Sequence, residues 1–287
     1  SQNKRDLDDV VSLEHIRCGY VDGAHGQVHY RELGTGTPLV LLHWAPSNGR
    51  QYEHLMPLFA ARGFRVLAVD IPGYGNSHKH TAGWSCAEMG AELAIALHRL
   101  GGVSRGFLCG GHLSAAVVAE MAIAQPQRFG RVILDGIGMF SPERKREYLA
   151  NYAPAVMPDA FGSQIHWAWH FVRDQAWFFP YFRRDAAHLR GIDMPPAEVL
   201  HETTVEVLKA IRTYHKAYRA AFAHPDRERL PLITLPTLVM ADASDPLKTG
   251  VAEAAACIRG AHSRIFEDAD ATTKMATLER FLDQGVI

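Results

Sequence analysis

The sequence predicts an α/β fold, built on a mostly parallel β-sheet with a helical insertion. Two observations predict it. Short apolar runs of strand length alternate with segments that carry apolar residues at helical spacing, and one long stretch, beginning near Gly138, carries helical spacing alone. Alternating strands and helices are typical of a parallel sheet whose two faces are covered by helices. We expect the strand-free stretch to form a helical cap, inserted after the sixth strand.

The first half of the chain carries the alternating pattern. Strands are predicted where polar and apolar residues alternate or where a short apolar run ends in a turn, namely at Gln27–Arg31, Pro38–Leu42, Phe64–Asp70, Phe107–Cys109 and Arg131–Asp135. Helical spacing predicts helices near Gln51–Ala61, Ser85–Leu100 and Leu113–Ile123. Segments rich in Gly and Pro separate these elements, as turns do.

The second half begins with helices and returns to strands. Helical spacing covers Pro142–Ala153, Gln164–Gln175 and Pro196–Ala223, with no strand between them. Strand signals return at Thr237–Ala241 and Ser263–Phe266, and helices lie on either side of the second. These changes set the expected domain limits: residues 1–139 and 230–287 form the sheet domain, and residues 140–229 form the cap, or lid.

Composition and charge exclude several classes of function. The 287 residues include 30 Lys and Arg against 31 Asp and Glu, so no broad basic field attracts nucleic acid or an anionic membrane. No apolar run approaches the roughly 20 residues of a membrane span, and residues 1–9 are polar, unlike a secretory signal. We expect a cytoplasmic protein that binds a small-molecule substrate, with neither nucleic acid nor membrane as partner. The oligomeric state stays open, a homodimer included.

Metal and disulfide frameworks are not indicated either. The four cysteines, Cys18, Cys86, Cys109 and Cys257, are scattered and show no C-x-x-C spacing. His166 and His170 lie four residues apart, a spacing that also serves metal sites, but the Glu of H-E-x-x-H is missing and no third ligand is apparent. We expect no metal and no cofactor.

Residues 107–115, Phe-Leu-Cys-Gly-Gly-His-Leu-Ser-Ala, carry the pattern of a nucleophile elbow. In the motif G-x-S-x-G the central residue lies on a strained strand-to-helix turn, so its side chain projects into the active site. His112 occupies that central position here, in place of serine. Ser114 falls two residues later, where close helix packing requires a small residue, and we interpret it as structural. Cys109, at the end of the strand, is interpreted as buried.

Together with three further motifs, this elbow resembles the α/β-hydrolase superfamily over nearly the whole chain from about residue 25. Residues 41–47, Leu-Leu-His-Trp-Ala-Pro-Ser, are similar to the oxyanion loop, and residues 70–77, Asp-Ile-Pro-Gly-Tyr-Gly-Asn-Ser, to the D-x-P-G-x-G-x-S turn. Residues 236–246 are similar to the strand that delivers the catalytic acid, here Asp245. The resemblance implies the α/β-hydrolase fold, with the backbone N–H groups of Ala45 and Leu113 forming an oxyanion hole.

The chain departs from the superfamily at two of the three catalytic positions. Most members carry Ser, Asp or Cys where this chain has His112. Their catalytic histidine follows the last strand in a Gly-His segment, whereas residues 266–271 here read Phe-Glu-Asp-Ala-Asp-Ala, with Ala271 at the histidine position. Only the acid Asp245 keeps its place, so acyl-enzyme chemistry by a serine and its base is not expected. Asp135 ends the sixth strand, where some relatives carry the acid, and is interpreted as a turn-capping residue.

His112 can take three roles. As a general base it would hydrogen-bond to Asp245, which orients one ring nitrogen and leaves the other for the substrate. Because the N-terminus of the following helix disfavours the imidazolium, we expect a neutral resting base. Imidazole can also attack acyl centres as a nucleophile. In the third reading the elbow does no chemistry and the protein only binds a ligand. We favour the general base.

Imidazole and aromatic side chains are candidates for the pocket wall. The candidate pocket residues are His43, Trp44, His166, Trp167, Trp169 and His170, with Trp177, Phe178, Phe179, Tyr181 and Phe182 extending them. Trp44 either closes the pocket or is wedged in the core. The leading hypothesis is an enzyme acting on a small apolar or aromatic carbonyl or ester-type compound, most simply a hydrolase. A cofactor-independent lyase or isomerase and a non-catalytic ligand-binding protein are the alternatives.

Overall fold

The computed structural model describes residues 15–80, 82–267 and 271–287. In this part of the chain eight strands form one sheet in the order β1-β2-β4-β3-β5-β6-β7-β8. The strands are β1 (Arg17–Asp22), β2 (Gln27–Leu33), β3 (Thr37–Leu42), β4 (Phe64–Val69), β5 (Gly106–Gly111), β6 (Phe129–Asp135), β7 (Thr237–Asp242) and β8 (His262–Phe266). β2 pairs antiparallel with β1 and β4, and every other pairing is parallel. The predicted fold class is confirmed.

Helices cover both faces of the sheet and form the cap. They are α1 (Met56–Ala60), α2 (Cys86–Leu100), α3 (Leu113–Ala124), α4 (Pro142–Asn151), α5 (Ser163–Trp177), α6 (Ala197–Lys209), α7 (Tyr214–Ala223), α8 (Asp226–Arg229), α9 (Val251–Cys257) and α10 (Ala271–Gln284). Elements α4 to α8 all lie between β6 and β7. This strand-free stretch forms the cap.

β3 shows why the sequences of the central strands are continuous runs of apolar residues. Val40 and Leu42 belong to the core cluster that includes α2, α3 and α9, whereas Leu39 and Leu41 belong to the cluster that includes α1 and α10. Successive side chains of a strand point to opposite faces. Because both faces are covered, every position from residue 38 to 42 is buried.

Three elements differ from the sequence-based expectation. β1 was not predicted, since it is an edge strand in which four of the six positions are exposed and no apolar run marks it. The predicted helix Gln51–Ala61 is a short 3₁₀ turn followed by the five-residue α1, whose second residue is Pro57. The predicted helix Pro196–Ala223 is two helices, α6 and α7. At the break, the Thr213 hydroxyl donates to the Gly73 carbonyl (2.6 Å) and so ties the break to the core.

The turn after β4 is held by one buried carboxylate. Asp70 accepts hydrogen bonds from the Gly49 amide (2.7 Å), the Asn76 amide (2.9 Å) and Nδ1 of His29 (2.9 Å). Burial alone would raise the pKa of Asp70, but these hydrogen bonds, with that from His29 foremost, lower it to about 2. The D-x-P-G-x-G-x-S segment is therefore a structural clamp that fixes the loop after β3, where Gly49 lies.

No helix in the described ranges is both long and apolar enough to cross a membrane. The four cysteines of the chain are free thiols, and Cys109 is buried, as expected.

Candidate active site

The elbow has the strained backbone that its motif predicts. His112 connects β5 to α3 with φ 53° and ψ −114°, a left-handed conformation that is rare outside glycine. At Gly110 a Cβ atom would collide with the carbonyl oxygen of Ser114, so the motif requires glycine there. The fully buried Ser114 hydroxyl donates to the carbonyl oxygen of His43. Ser114 therefore joins the elbow to the loop after β3.

His112 and Asp245 form a hydrogen-bonded pair at the carboxyl end of the sheet. Nε2 of His112 lies 2.8 Å from Oδ2 of Asp245, which follows β7. Oδ1 of Asp245 accepts from the Leu247 amide (2.7 Å), so the carboxylate is fixed by its own turn. Gly136 covers the pair, because a Cβ atom there would lie 2.8 Å from both Oδ2 of Asp245 and Cδ2 of His112. The elbow side chain thus reaches the acid directly.

The charges of the pair are coupled. Burial alone would lower the pKa of His112, but the hydrogen bond and the negative charge of Asp245 outweigh it and raise that pKa above its usual value. Burial alone would raise the pKa of Asp245, but the hydrogen bond from His112 turns the shift downward. The helix N-terminus was expected to disfavour the imidazolium, but the adjacent carboxylate favours it more strongly, so the net shift of the His112 pKa is upward.

A cavity of about 370 Å³ opens on this pair, between the cap and the carboxyl ends of the strands. Trp44, Ala45, His112, Leu113 and Asp245 all line it. This is where ligands bind in open parallel sheets. Trp44 is 43% exposed and its ring centroid lies 5.2 Å from that of His112. Of the two readings of Trp44, the structure supports the one in which it closes the pocket.

The two proposed oxyanion donors lie in the cavity wall. For the backbone N–H groups of Ala45 and Leu113, no hydrogen-bond acceptor is found among the described residues. The carbonyl of Ala45 accepts from the hydroxyl of Tyr218 on α7 (2.8 Å). Both amides are therefore available to a ligand oxygen, and the cap fixes the peptide that carries one of them.

Five of the six residues expected in the pocket wall do not line the cavity. His43 is fully buried beneath it, where its Nδ1 donates to the Trp44 carbonyl (2.7 Å) and its Nε2 accepts from the Ile71 amide (3.0 Å). Its role is structural. His166, Trp169 and His170 are exposed on the outer face of α5, and Trp167 packs against Phe171 and Tyr214 inside the cap.

α5 does line the cavity, but through a later turn and another face. Val172, Gln175 and Ala176 are its cavity residues, and Phe179 follows in the wall. Trp177 is partly exposed, while Tyr181 and Phe182 pack among the cap aromatics. Helical spacing in the sequence does not say which face of a helix meets the pocket, so the dense His and Trp cluster was a misleading signal.

Several cavity residues had no recognisable signal in the sequence. Tyr152, Arg190, Leu200, Tyr218 and Phe222 come from separate cap segments. Arg190 donates to the Gln175 carbonyl (2.8 Å), and its charge helps to lower the pKa of Asp245. The surroundings of the pair are thus mainly aromatic and aliphatic, with one guanidinium close to the acid.

Asp135 lies beside the pair but outside the cavity wall. Its carbonyl oxygen accepts from the His112 amide (2.9 Å), and no capping bond of its side chain is found in the part of the chain that the structure describes. The described residues thus give no support to the turn-capping interpretation. Burial raises the pKa of its carboxyl to about 6, against the opposing charge of Lys274, which binds both oxygens of Asp242 (2.7 and 2.9 Å).

The superfamily's histidine position falls at the edge of the described chain. Residues 268–270 lie outside the described residues, and α10 begins at Ala271. In the sequence, no histidine occurs from residue 263 to the last residue. A histidine base from that segment is therefore absent from the chain itself.

Known proteins share the fold and parts of the sequence. The chain is 30% identical over 145 residues to a 2-hydroxy-6-oxononadienedioate/2-hydroxy-6-oxononatrienedioate hydrolase of Burkholderia vietnamiensis, which covers 48% of this chain and 50% of that protein. It is 28% identical over 123 residues to bifunctional epoxide hydrolase 2 of Rattus norvegicus, covering 39% of this chain and 22% of that protein. The chain thus spans half or less of these curated relatives.

Solved structures match over almost the whole chain. An epoxide hydrolase from Vigna radiata aligns with a TM-score of 0.74 at 15% identity, covering 95% of this chain and 99% of that one. An enol-lactonase from Burkholderia xenovorans aligns with a TM-score of 0.68 at 19% identity, covering 93% and 100%. At such identities these matches show the fold alone. Residues 37–249 match the α/β-hydrolase fold family, and the chain belongs to it.

Proposed function

We propose that this protein is a hydrolase of small apolar or aromatic carbonyl or ester-type compounds, with His112 as general base. The observation that carries the proposal is the hydrogen bond between His112 and Asp245 in the wall of the cavity. An imidazole that is hydrogen-bonded to an ionised carboxylate and lies at the entrance to a helix beside a cavity can abstract a proton from a bound molecule. The curated relatives that are named hydrolases support the same class of reaction.

The hydrogen bond assigns the ring nitrogens. The ionised carboxylate of Asp245 can only accept, so Nε2 of His112 carries the hydrogen. Nδ1 then holds the lone pair of the neutral ring and takes the proton from a water molecule as that water attacks the carbonyl carbon. The amides of Ala45 and Leu113 stabilise the resulting oxyanion. Asp245 stabilises the imidazolium formed, and the imidazolium returns the proton to the leaving group.

The cavity supports a small substrate. Its volume of about 370 Å³ lies within the ~300–1,000 Å³ typical of small-molecule sites. Trp44, Tyr152, Phe179 and Phe222 supply aromatic wall, which suits an apolar or aromatic acyl or alcohol group. No cofactor is part of the proposed reaction.

The experiment compares hydrolysis of p-nitrophenyl acetate and p-nitrophenyl butyrate by the wild type and by His112→Ala. We expect His112→Ala to lower kcat/KM by about two to four orders of magnitude with the fold intact by circular dichroism. Because exposed histidines hydrolyse such esters slowly, His166→Ala on the outer face of α5 is the matched control and should keep full activity. Activity in His112→Ala equal to wild type would contradict the proposal.

The same ester hydrolysis also shows whether His112 acts as a general base or as a nucleophile. A nucleophilic His112 forms an acyl-imidazole, which intact-protein mass spectrometry detects after rapid acid quench as one added acyl mass. A general base leaves no adduct. Fluorophosphonate probes, which label activated serines, should leave the elbow unlabelled in either case.

A further inference from the structure

A second groove lies in the cap region, apart from the active-site cavity. It has a volume of about 840 Å³ and is formed by the first turn of α2, the end of α4, one face of α7 and residues 224–229. Its apolar wall consists of Trp84, Ala87, Ala150, Ala153, Pro154, Ala155, Ala220, Ala223 and Pro225. This volume also lies within the ~300–1,000 Å³ of small-molecule sites. The groove could hold an organic molecule with an apolar body.

The charged lining of the groove is mainly positive. Among its described lining residues are the cations Lys216, Arg219 and Arg229, the imidazole of His224 and one carboxylate, Glu120. Burial alone would lower the pKa of His224, but its hydrogen bonds to Asp226 and Glu120 raise it to about 9, so it is a cation at neutral pH. Glu120 is ionised as well, because its bonds to His224 and Arg229 lower its pKa to about 2.

Two carboxylates balance the charges of Arg229 and His224. Both oxygens of Glu120 are bound by Arg229 (2.7 and 2.8 Å) and one also by Nε2 of His224 (2.9 Å), and Asp226 accepts from Nδ1 of His224 (2.8 Å). Lys216 and Arg219, both on α7, add two more positive charges to the wall. These two cations of α7 come in addition to the balanced cluster, and they favour an anionic ligand.

Helix α7 separates the two sites. Tyr218, Ala221 and Phe222 line the active-site cavity, whereas Arg219 and Ala220 line the groove. The groove is thus physically distinct from the catalytic pair. Adjacent residues of this one helix therefore line two different sites.

We propose that this groove is a second ligand site, which binds a small organic anion, with a carboxylate or phosphate group on Lys216 and Arg219 and an apolar body against Trp84 and the alanines. The proposal does not depend on the proposed hydrolysis, because its readout is binding. Carboxylate and phosphate share the chemistry that these cations recognise. Separate titrations with each distinguish the two.

The test is isothermal titration of benzoate, phenyl phosphate and the neutral benzamide into two tryptophan variants. Ala220→Trp fills the groove and Ala221→Trp fills the active-site cavity. We expect at least one anion to bind Ala221→Trp as it binds wild type, no anion to bind Ala220→Trp, and benzamide to bind about tenfold more weakly or not at all. Loss of binding in Ala221→Trp with retention in Ala220→Trp, or no anion binding to wild type, would overturn the proposal.

Charge variants make the test independent of tryptophan packing. Lys216→Gln and Arg219→Gln lie on the accessible side of α7 and should each weaken anion binding about tenfold. Arg146→Gln on α4 is the matched control, since Arg146 is exposed, pairs with Glu143 and lies outside the groove. Equal anion affinity in all three variants would overturn the proposal even if Ala220→Trp fails to fold.

Discussion

Tyr218 in the cap and Ala45 in the sheet domain are joined by one hydrogen bond, 2.8 Å from the phenol oxygen to the carbonyl oxygen. The same Ala45 carries one of the two amides proposed to stabilise the oxyanion. The cap is therefore part of the proposed catalytic geometry as well as a lid, because it fixes a peptide that otherwise belongs to a loop of the sheet domain.

Tyr218→Phe should lower kcat by about tenfold while KM changes little, because an oxyanion donor that is less well fixed stabilises the transition state less. Steady-state hydrolysis of p-nitrophenyl butyrate measures both constants. The matched control is Tyr148→Phe, also in the cap, because the buried hydroxyl of Tyr148 has no hydrogen-bond partner within the described ranges. A loss as large in Tyr148→Phe would assign the effect to cap packing instead.

Asp245→Asn should move the acidic limb of the kcat/KM–pH profile to lower pH. In the wild type the carboxylate raises the pKa of His112, so the neutral base appears only at higher pH. Without this charge the pKa of His112 falls and the base form persists in more acidic solution. The plateau rate should fall too, since an amide group that donates to Nε2 would favour the other tautomer. An unchanged limb would show that His112 titrates independently of Asp245.

Ser114→Ala should leave kcat/KM nearly unchanged but reduce the free energy of unfolding by about 1 kcal/mol, the usual worth of a buried hydrogen bond. The lost bond is the one to the His43 carbonyl. Urea denaturation followed by circular dichroism measures the stability, and ester hydrolysis the activity. If turnover disappears in a folded Ser114→Ala protein, serine chemistry at this elbow has been wrongly dismissed.

Asp135→Asn should stabilise the protein selectively above about pH 6. The folded-state pKa of Asp135 is raised to about 6, above its unfolded value of about 3.9. In the wild type the contribution of Asp135 to the free energy of unfolding is fully present below the unfolded pKa and is lost as pH rises through the folded pKa. The variant avoids a loss of about 3 kcal/mol.

Urea titrations at pH 4 and pH 7.5 check this prediction. Asp283→Asn, which removes an exposed carboxylate of α10, is the control and should show no such difference. Equal changes in the two variants would mean that net charge, and not the buried position of Asp135, sets the effect.

The sequence predicted the sheet and the elbow because both follow from local chemistry. Gly110 is required by a close approach to Ser114, and continuous apolar runs mark strands covered on both faces. β1 escaped prediction because it buries no face, and the end of α6 because a single side chain, Thr213, fixes the break from outside the helix.

The pocket wall was less predictable because it depends on how cap helices are rotated against the sheet domain. His166 and Trp169 fall on the solvent side of α5, while Val172 and Ala176 meet the cavity. Tyr218 and Arg190 reach the site from distant segments whose sequences carry no motif. Asp245, in contrast, was correctly placed beside His112, because the carboxyl ends of the parallel strands β5 and β7, on either side of β6, meet at one edge of the sheet.

The commitment of Nε2 to Asp245 has a stereochemical consequence for the proposed chemistry. An ordinary triad divides its tasks between two side chains, with a nucleophile on one and a proton shuttle on the other. In the proposed reaction no side-chain nucleophile takes part, and Nδ1 of His112 both takes the proton from the attacking water and returns it to the leaving group. The leaving group must therefore depart on the same side of the bound molecule as the side that the water attacks.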